Sequence, residues 1–305
     1  RCKNNQTQRA NHQNQRVMLK FTKADDRLKA KKAKVTMAIF GPAGAGKTTQ
    51  ARTLDAGKTL FLDFEAGTLA LGDWAQDNVL DIRETAKQVG AHPWELAEIA
   101  ALYIGGPDPS EPSGGTYSKE TYEDACALFG NAAELDKYDT VFIDSITVAS
   151  RECFKWCETQ PESFSEKTGQ KDVRGTYGLL ARKMMRWITH LQHASKSVIM
   201  VGILDRDEDK LRRISYCPQI EGSKTGRELP GVFDEVLTIT NLEAEDGQLY
   251  RAFVCHEQNP WGYPAKDRSG CLELIEEPNL GKLIQKIRAG KRIDSINTTI
   301  PTNTK

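Results

Sequence analysis

At 305 residues and 39% hydrophobic content, the chain can bury one large core or two small ones, which excludes the disordered and fibrous classes. No stretch approaches the roughly 18 apolar residues of a membrane-spanning helix, and the N-terminus lacks the apolar segment of a secretory signal, so neither a membrane partner nor export is expected. Lys and Arg number 42 and Asp and Glu 42, and this zero net charge excludes a chain that clamps nucleic acid by bulk positive charge.

The charge is unevenly placed. Residues 1–34 hold 11 Lys/Arg and two Asp, leaving 31 basic and 40 acidic residues for the rest, or about +9 against −9. Such an arm either contacts nucleic acid or is simply solvated. Residues 1–18 carry too little apolar surface to offset ordering entropy and are expected to form a disordered basic tail. Met18, which opens Met18-Leu19-Lys20-Phe21, is the expected native start. Seven scattered cysteines without a CxxC pair suit a reducing, cytoplasmic setting. Cys153 and Cys157 share a helical face, as do His190 and His193, but spacing places no further ligands beside them.

The first patterned element is the apolar run Val35–Phe40, expected as a buried strand, and directly after it comes Gly41-Pro42-Ala43-Gly44-Ala45-Gly46-Lys47-Thr48. The spacing Gly-x4-Gly-Lys-Thr between a strand and a helix is that of a phosphate-binding loop. Its glycines let the backbone turn its N–H groups towards phosphate. Lys47 is expected on the β- and γ-phosphate oxygens of ATP, and the Thr48 hydroxyl on Mg2+. Thr49 completes the nucleotide-binding set.

A short helix ending at Gly57 should follow, then strands at Thr59–Glu65 and Asn78–Ile82. Glu65 ends the second strand, where a carboxylate faces the ligand crevice, and is the candidate general base. The alternative is that it only starts a loop. Asp63 lies two residues earlier on the same side of the strand. A Gly/Pro/Ser-rich loop at 105–115 precedes a helix near Ser118, inside an insertion spanning about 84–137.

Tyr138–Ser145 is the next strand. Asp144 at its end either holds Mg2+ through water or caps the following helix, and Ser145 stands where many such ATPases carry a catalytic Glu. A helix through Cys153 and Trp156, an amphipathic helix over Val173–Ala194, and a buried strand at Ser197–Leu204 follow. A polar loop at 205–230, strands near Glu235–Thr240 and Tyr250–Cys255, and a helix at Leu280–Arg288 complete the pattern. Alternation of apolar runs with helices argues for an α/β fold with a mostly parallel sheet, helices on both faces and C-terminal antiparallel strands.

The phosphate loop, Phe61-Leu62-Asp63-Phe64-Glu65 and Phe142-Ile143-Asp144-Ser145 together resemble the RecA-type ATPase core, in which the Glu after the second strand is the catalytic base. Ala265-Lys266-Asp267-Arg268-Ser269-Gly270 resembles the Lys-x-Arg finger of the RadA, DnaB and KaiC branch, which reaches the γ-phosphate on a neighbouring subunit. A basic turn before a strand is the alternative for Lys266 and Arg268. The chain as a whole resembles phage-encoded RecA-like ATPases of the AAA family, some of which anneal single strands. Phe21–Ala24, Pro218–Lys224, Leu229–Asp234 and Glu277–Leu280 echo the same pattern.

The resemblance implies one RecA-like ATPase domain over 19–290 with a disordered tail at 291–305. It further implies ATP and Mg2+ as ligands, a homo-oligomer (ring or filament) and single-stranded DNA as partner. The cytoplasm of a bacterial host would then be its location. The DNA-facing loops would be about 160–172 and 205–228, with Lys167, Lys171, Arg206, Lys210, Arg212, Arg213, Lys224 and Arg227, and Tyr216 as a stacking residue. Glu162, Glu166, Asp205, Asp207, Glu208 and Asp209 lie in the same loops, so a plain solvated loop remains the alternative. The polar γ-phosphate sensor common after the Asp144-type strand is missing, because Val201-Gly202-Ile203-Leu204 runs straight into Asp205. A small-molecule kinase with a lid at Asp205–Arg213, or a nucleotide-dependent interaction switch, are the competing readings.

Overall fold

The computed structural model describes Lys23, residues 34–208, Arg212 and residues 214–293. The expected tail at 1–18, most of the basic arm, Phe21 and Thr22, Lys210 and Arg213, and residues 294–305 of the expected C-terminal tail lie outside the described residues. Among the described residues no helix is long and apolar enough to cross a membrane.

The strands are β1 (Thr36–Gly41), β2 (Thr59–Asp63), β3 (Val79–Asp81), β4 (Thr140–Asp144), β5 (Ser197–Glu208), β6 (Ile214–Pro218), β7 (Glu235–Glu243), β8 (Leu249–Val254), β9 (Lys266–Asp267) and β10 (Ile275–Glu276). In space they run β10-β8-β7-β1-β5-β4-β2-β3. The block from β7 to β3 is parallel, while β8, β9 and β10 add antiparallel pairs and β6 folds back on β5. This is the α/β architecture that the alternating pattern predicts.

Side chains on a strand alternate between faces, so a doubly covered sheet needs apolar residues at every position. β1 meets that requirement: Ala38 and Phe40 enter one core, Met37 and Ile39 the other. The first core lies under helices α1 (Ile82–Val89), α2 (Pro93–Gly105), α3 (Lys119–Phe129), α4 (Ile146–Cys157), α5 (Val173–His193) and α6 (Ser223–Val232). The second lies under α7 (Leu280–Ala289), which contributes Leu280, Leu283, Ile284 and Ile287. Trp187 of α5 is wholly buried against Trp94 and Phe64, and its indole N–H donates to the Ala97 carbonyl at 3.0 Å. His190 stacks on Tyr117 at 4.0 Å, and the Cys153 and Cys157 sulfurs lie 4.0 Å apart in the first core.

Three segments differ from the sequence expectations. Where a short helix ending at Gly57 is expected, a 3-10 turn at Ala56–Lys58 is preceded by a separate six-residue 3-10 turn, Thr48–Thr53. Its buried Gln50 and its Thr53 hydroxyl accept from Leu280 N and Gly281 N at the start of α7. Second, β5 does not stop at Leu204 but continues to Glu208, paired antiparallel with β6. Third, the expected polar loop also contains α6, despite Gly226, Pro230 and Gly231, because Leu229 and, just beyond it, Phe233 are buried in the first core.

At the start of β7, Glu235 is buried beside Asp267 of β9, and burial plus that second carboxylate push its pKa up to about 9. Its Oε1 accepts from Ser269 N at 3.0 Å, and its buried Oε2 has no hydrogen-bond partner among the described residues. The folded state therefore keeps a proton that the unfolded chain releases above its ordinary value of 4.5. For this group, stability is complete at low pH and declines as pH rises from about 4.5 to about 9. Glu235→Gln should therefore raise the chemical-denaturation midpoint at pH 8 and leave it unchanged near pH 4. Equal shifts at both pH values would refute the protonated assignment.

Candidate active site

The site is built on the C-terminal edge of the parallel strands, where β4 and β2 end side by side and β1 ends one strand away, across β5. Gly41 must be glycine because a Cβ there would lie 2.4 Å from the Ile239 carbonyl of β7. Gly44 and Gly46 have φ of +77° and +85°, a region that suits glycine. Together they turn Pro42–Gly46 into an open cradle in which Pro42, Ala43 and Gly44 are exposed. Lys47 Nζ donates to the Gly41 and Pro42 carbonyls at 3.0 and 2.9 Å. Burial lowers its pKa, while Asp144 and Glu65 oppose the shift. Thr49 is exposed at the start of the 3-10 turn.

The carboxylates converge from β2 and β4. The Thr48 hydroxyl donates to Asp144 Oδ2 at 2.5 Å, joining the two residues expected to hold Mg2+. Burial raises the Asp144 pKa to about 7, the Thr48 hydrogen bond and Lys47 hold it down, and the Glu65 and Asp63 charges push it further up. Phe64 N donates to the Asp144 carbonyl at 2.7 Å and brings Glu65 level with Ser145. The Ser145 hydroxyl then donates to Glu65 Oε1 and accepts from Val148 N as the N-cap of α4.

Asp63 ends β2 on this edge and is buried. Its Oδ1 accepts from Glu65 N at 2.8 Å and Gly67 N at 3.3 Å, shaping the turn that carries Glu65. Burial raises its pKa, and its Oδ2 has no partner among the described residues. An Asp accepting from backbone N–H groups two and four residues ahead is a turn signal legible in sequence.

A glycine cradle with an adjacent lysine, a threonine hydroxyl and a carboxylate is a phosphate site. A family model described as an AAA domain matches residues 33–269. The chain belongs to this AAA domain family. No curated protein matches it. Membership in a family of P-loop ATPases implies that this AAA domain binds a nucleotide, and its loop is built for the phosphates.

The other two sequence candidates lie elsewhere in the AAA domain. β9 pairs with β7 through Val236↔Lys266, and β7 pairs with β1 through Met37↔Glu235, so Lys266 and Arg268 sit at the N-terminal edge, opposite the loop. Lys266 Nζ donates to the Phe233 carbonyl at 2.6 Å and, at 3.3 Å, to Pro230 and Gly231, capping the end of α6. Arg268 Nη1 pairs with Asp234 Oδ1 at 2.6 Å, and Asp234 also accepts from the Thr36 hydroxyl. One chain therefore cannot bring these cations to its own phosphate loop.

Sequence reading missed two partners of the site. Ser145 is visible in sequence only as the residue after Asp144, with no sign that it holds Glu65. Arg251 of β8 lies beside Gly46, some 200 residues away in the chain, and no local motif marks it.

Proposed function

We propose that this AAA domain hydrolyses ATP with Mg2+ at an interface between copies of the chain and uses the cycle on single-stranded DNA, in recombination, annealing or replication of the phage type. The observation that carries the reading is the division of its charged groups between two edges of one sheet. Lys47, Thr48, Asp144 and Glu65 meet at the C-terminal edge, and Lys266 and Arg268 lie at the other. A head-to-tail neighbour would bring the second set to the first.

The oxygens of Thr48 and Asp144 form a hard donor set that fits Mg2+. Thr48 would hold the ion directly and Asp144 through water, and the bound ion would offset phosphate charge. Glu65, aimed by Ser145, would take the proton of the attacking water.

The β5–β6 hairpin supports the DNA assignment by position. Its strand Asp205–Glu208 is exposed and continues from the edge that holds the site; Arg206 lies on that strand, and Arg212, two residues before β6, is also exposed. Acidic residues flank Arg206. Tyr216 packs against Tyr263 with ring centres 4.6 Å apart and planes tilted by 44°, so its ring is partly covered. In the other expected loop, Lys171 pairs with Glu158 at 2.9 Å.

The deciding experiment is ATP turnover with and without single-stranded DNA, for which stimulation is expected. A flat response would leave a nucleotide-dependent interaction switch, and phosphate transfer to a metabolite without DNA would make the protein a small-molecule kinase.

A further inference from the structure

We propose that Arg251 is a nucleotide-contacting cation supplied in cis, whose guanidinium binds phosphate oxygens of the nucleotide held by residues 41–48; the proposal rests on the nucleotide-binding reading of that loop. β7 lies beside β1 with Thr238 opposite Phe40, and β8 pairs with β7 so that Arg251 lies opposite Asn241. Three residues further along β7 than Thr238, the Asn241–Arg251 pair stands beyond the end of β1, level with the loop. Arg251 Nη2 donates to the Gly44 carbonyl at 3.5 Å, and Nη1 lies 2.5 Å from where a Cβ on Gly46 would stand. Gly46 therefore serves twice: it takes a positive φ, and it leaves room for the guanidinium.

The charge balance favours a ligand there. Arg251 is exposed, and among the described residues no carboxylate pairs with it. A guanidinium has five N–H donors in a planar fork, and the long contact to Gly44 occupies only one. A nucleoside triphosphate with one divalent ion and Lys47 remains net negative. An unpaired arginine against the phosphate cradle supplies the missing cation, and its fork matches phosphate oxygens better than a lysine would. Lys266 and Arg268 cannot supply it from the same chain.

Binding of fluorescent analogues of ATP, ADP and AMP, with Mg2+, to wild type, Arg251→Ala, Arg251→Lys and Lys47→Ala tests this. Arg251→Ala should weaken ATP binding by about 10- to 100-fold, weaken AMP binding least, and keep the wild-type melting temperature without nucleotide. Arg251→Lys should recover part of the loss. If Arg251→Ala fails to fold, Arg251→Gln, which keeps a hydrogen-bonding group without charge, carries the same comparison. ATP affinity within about twofold of wild type would overturn the proposal. So would an equal loss for all three nucleotides with a lowered melting temperature, which would mark Arg251 as a brace for the loop. Failure of the wild type itself to bind Mg-ATP, with Lys47→Ala indistinguishable from it, would overturn the nucleotide-binding reading beneath.

Discussion

A Glu65→Gln chain is expected to bind Mg-ATP as the wild type does and to hydrolyse it about 10²- to 10⁴-fold more slowly, the range ascribed to a positioned general base. The structure explains why a single atom matters. Glu65 Oε1 is held by the Ser145 hydroxyl, and that hydroxyl is fixed in turn by Val148 N at the first turn of α4. Its backbone is fixed as well, by Asp63 Oδ1 on Glu65 N and by Phe64 N on the Asp144 carbonyl. Glutamine keeps the shape and accepts the same serine hydrogen bond, but an amide oxygen cannot take a proton from water. Losing the charge also removes one of the causes that raise the Asp144 pKa, so Asp144 should be ionised to lower pH in the variant. Single-turnover phosphate release and equilibrium ATP binding separate the two effects. Wild-type turnover in Glu65→Gln would exclude Glu65 as the base.

Arg268→Ala should lower hydrolysis by about 10³- to 10⁵-fold, the range for an arginine finger, and mixing it with Lys47→Ala should restore part of the rate. Each variant lacks a different half of the proposed shared site. In a mixed assembly, some interfaces pair an intact phosphate loop from the Arg268→Ala chain with an intact Arg268 from the Lys47→Ala chain. The fold should survive the substitution. Arg268 is 47% exposed in its pair with Asp234, and such surface pairs contribute about 0–1 kcal/mol. Asp234 also keeps its hydrogen bond from Thr36. The same arithmetic means that Arg268 can leave Asp234 for a neighbour's phosphate at little cost. No recovery at any mixing ratio would remove Lys266 and Arg268 from the site.

Local chemistry made some elements legible and left others silent. β1, β2 and β4 read clearly because burial on both faces demands continuous apolar runs; they end at Gly41, Asp63 and Asp144, with Glu65 two residues past the end of β2. Helix α2 did not read, being apolar nearly all round with no amphipathic stripe to give its period. Its capping box uses His92 Nδ1 where Ser or Thr is the recognisable signal. The extension of β5 was hidden because Asp205-Arg206-Asp207-Glu208 has no strand pattern, and only pairing with β6 makes it a strand. Arg251 is the clearest case of long-range information: its place is set by the register of two strand pairs and by the absence of a side chain at Gly46. No window of neighbouring residues contains either fact.

The uninterrupted length of β5 has a mechanical consequence. Its 12 residues reach about 40 Å at strand rise. One end is clamped between β1 and β4, and the other forms half of the exposed hairpin. As one continuous strand joining those two ends, β5 acts as a lever arm. A load that tilts the hairpin tip would reach the gap between the loop-bearing strand and the Asp144 strand as torque.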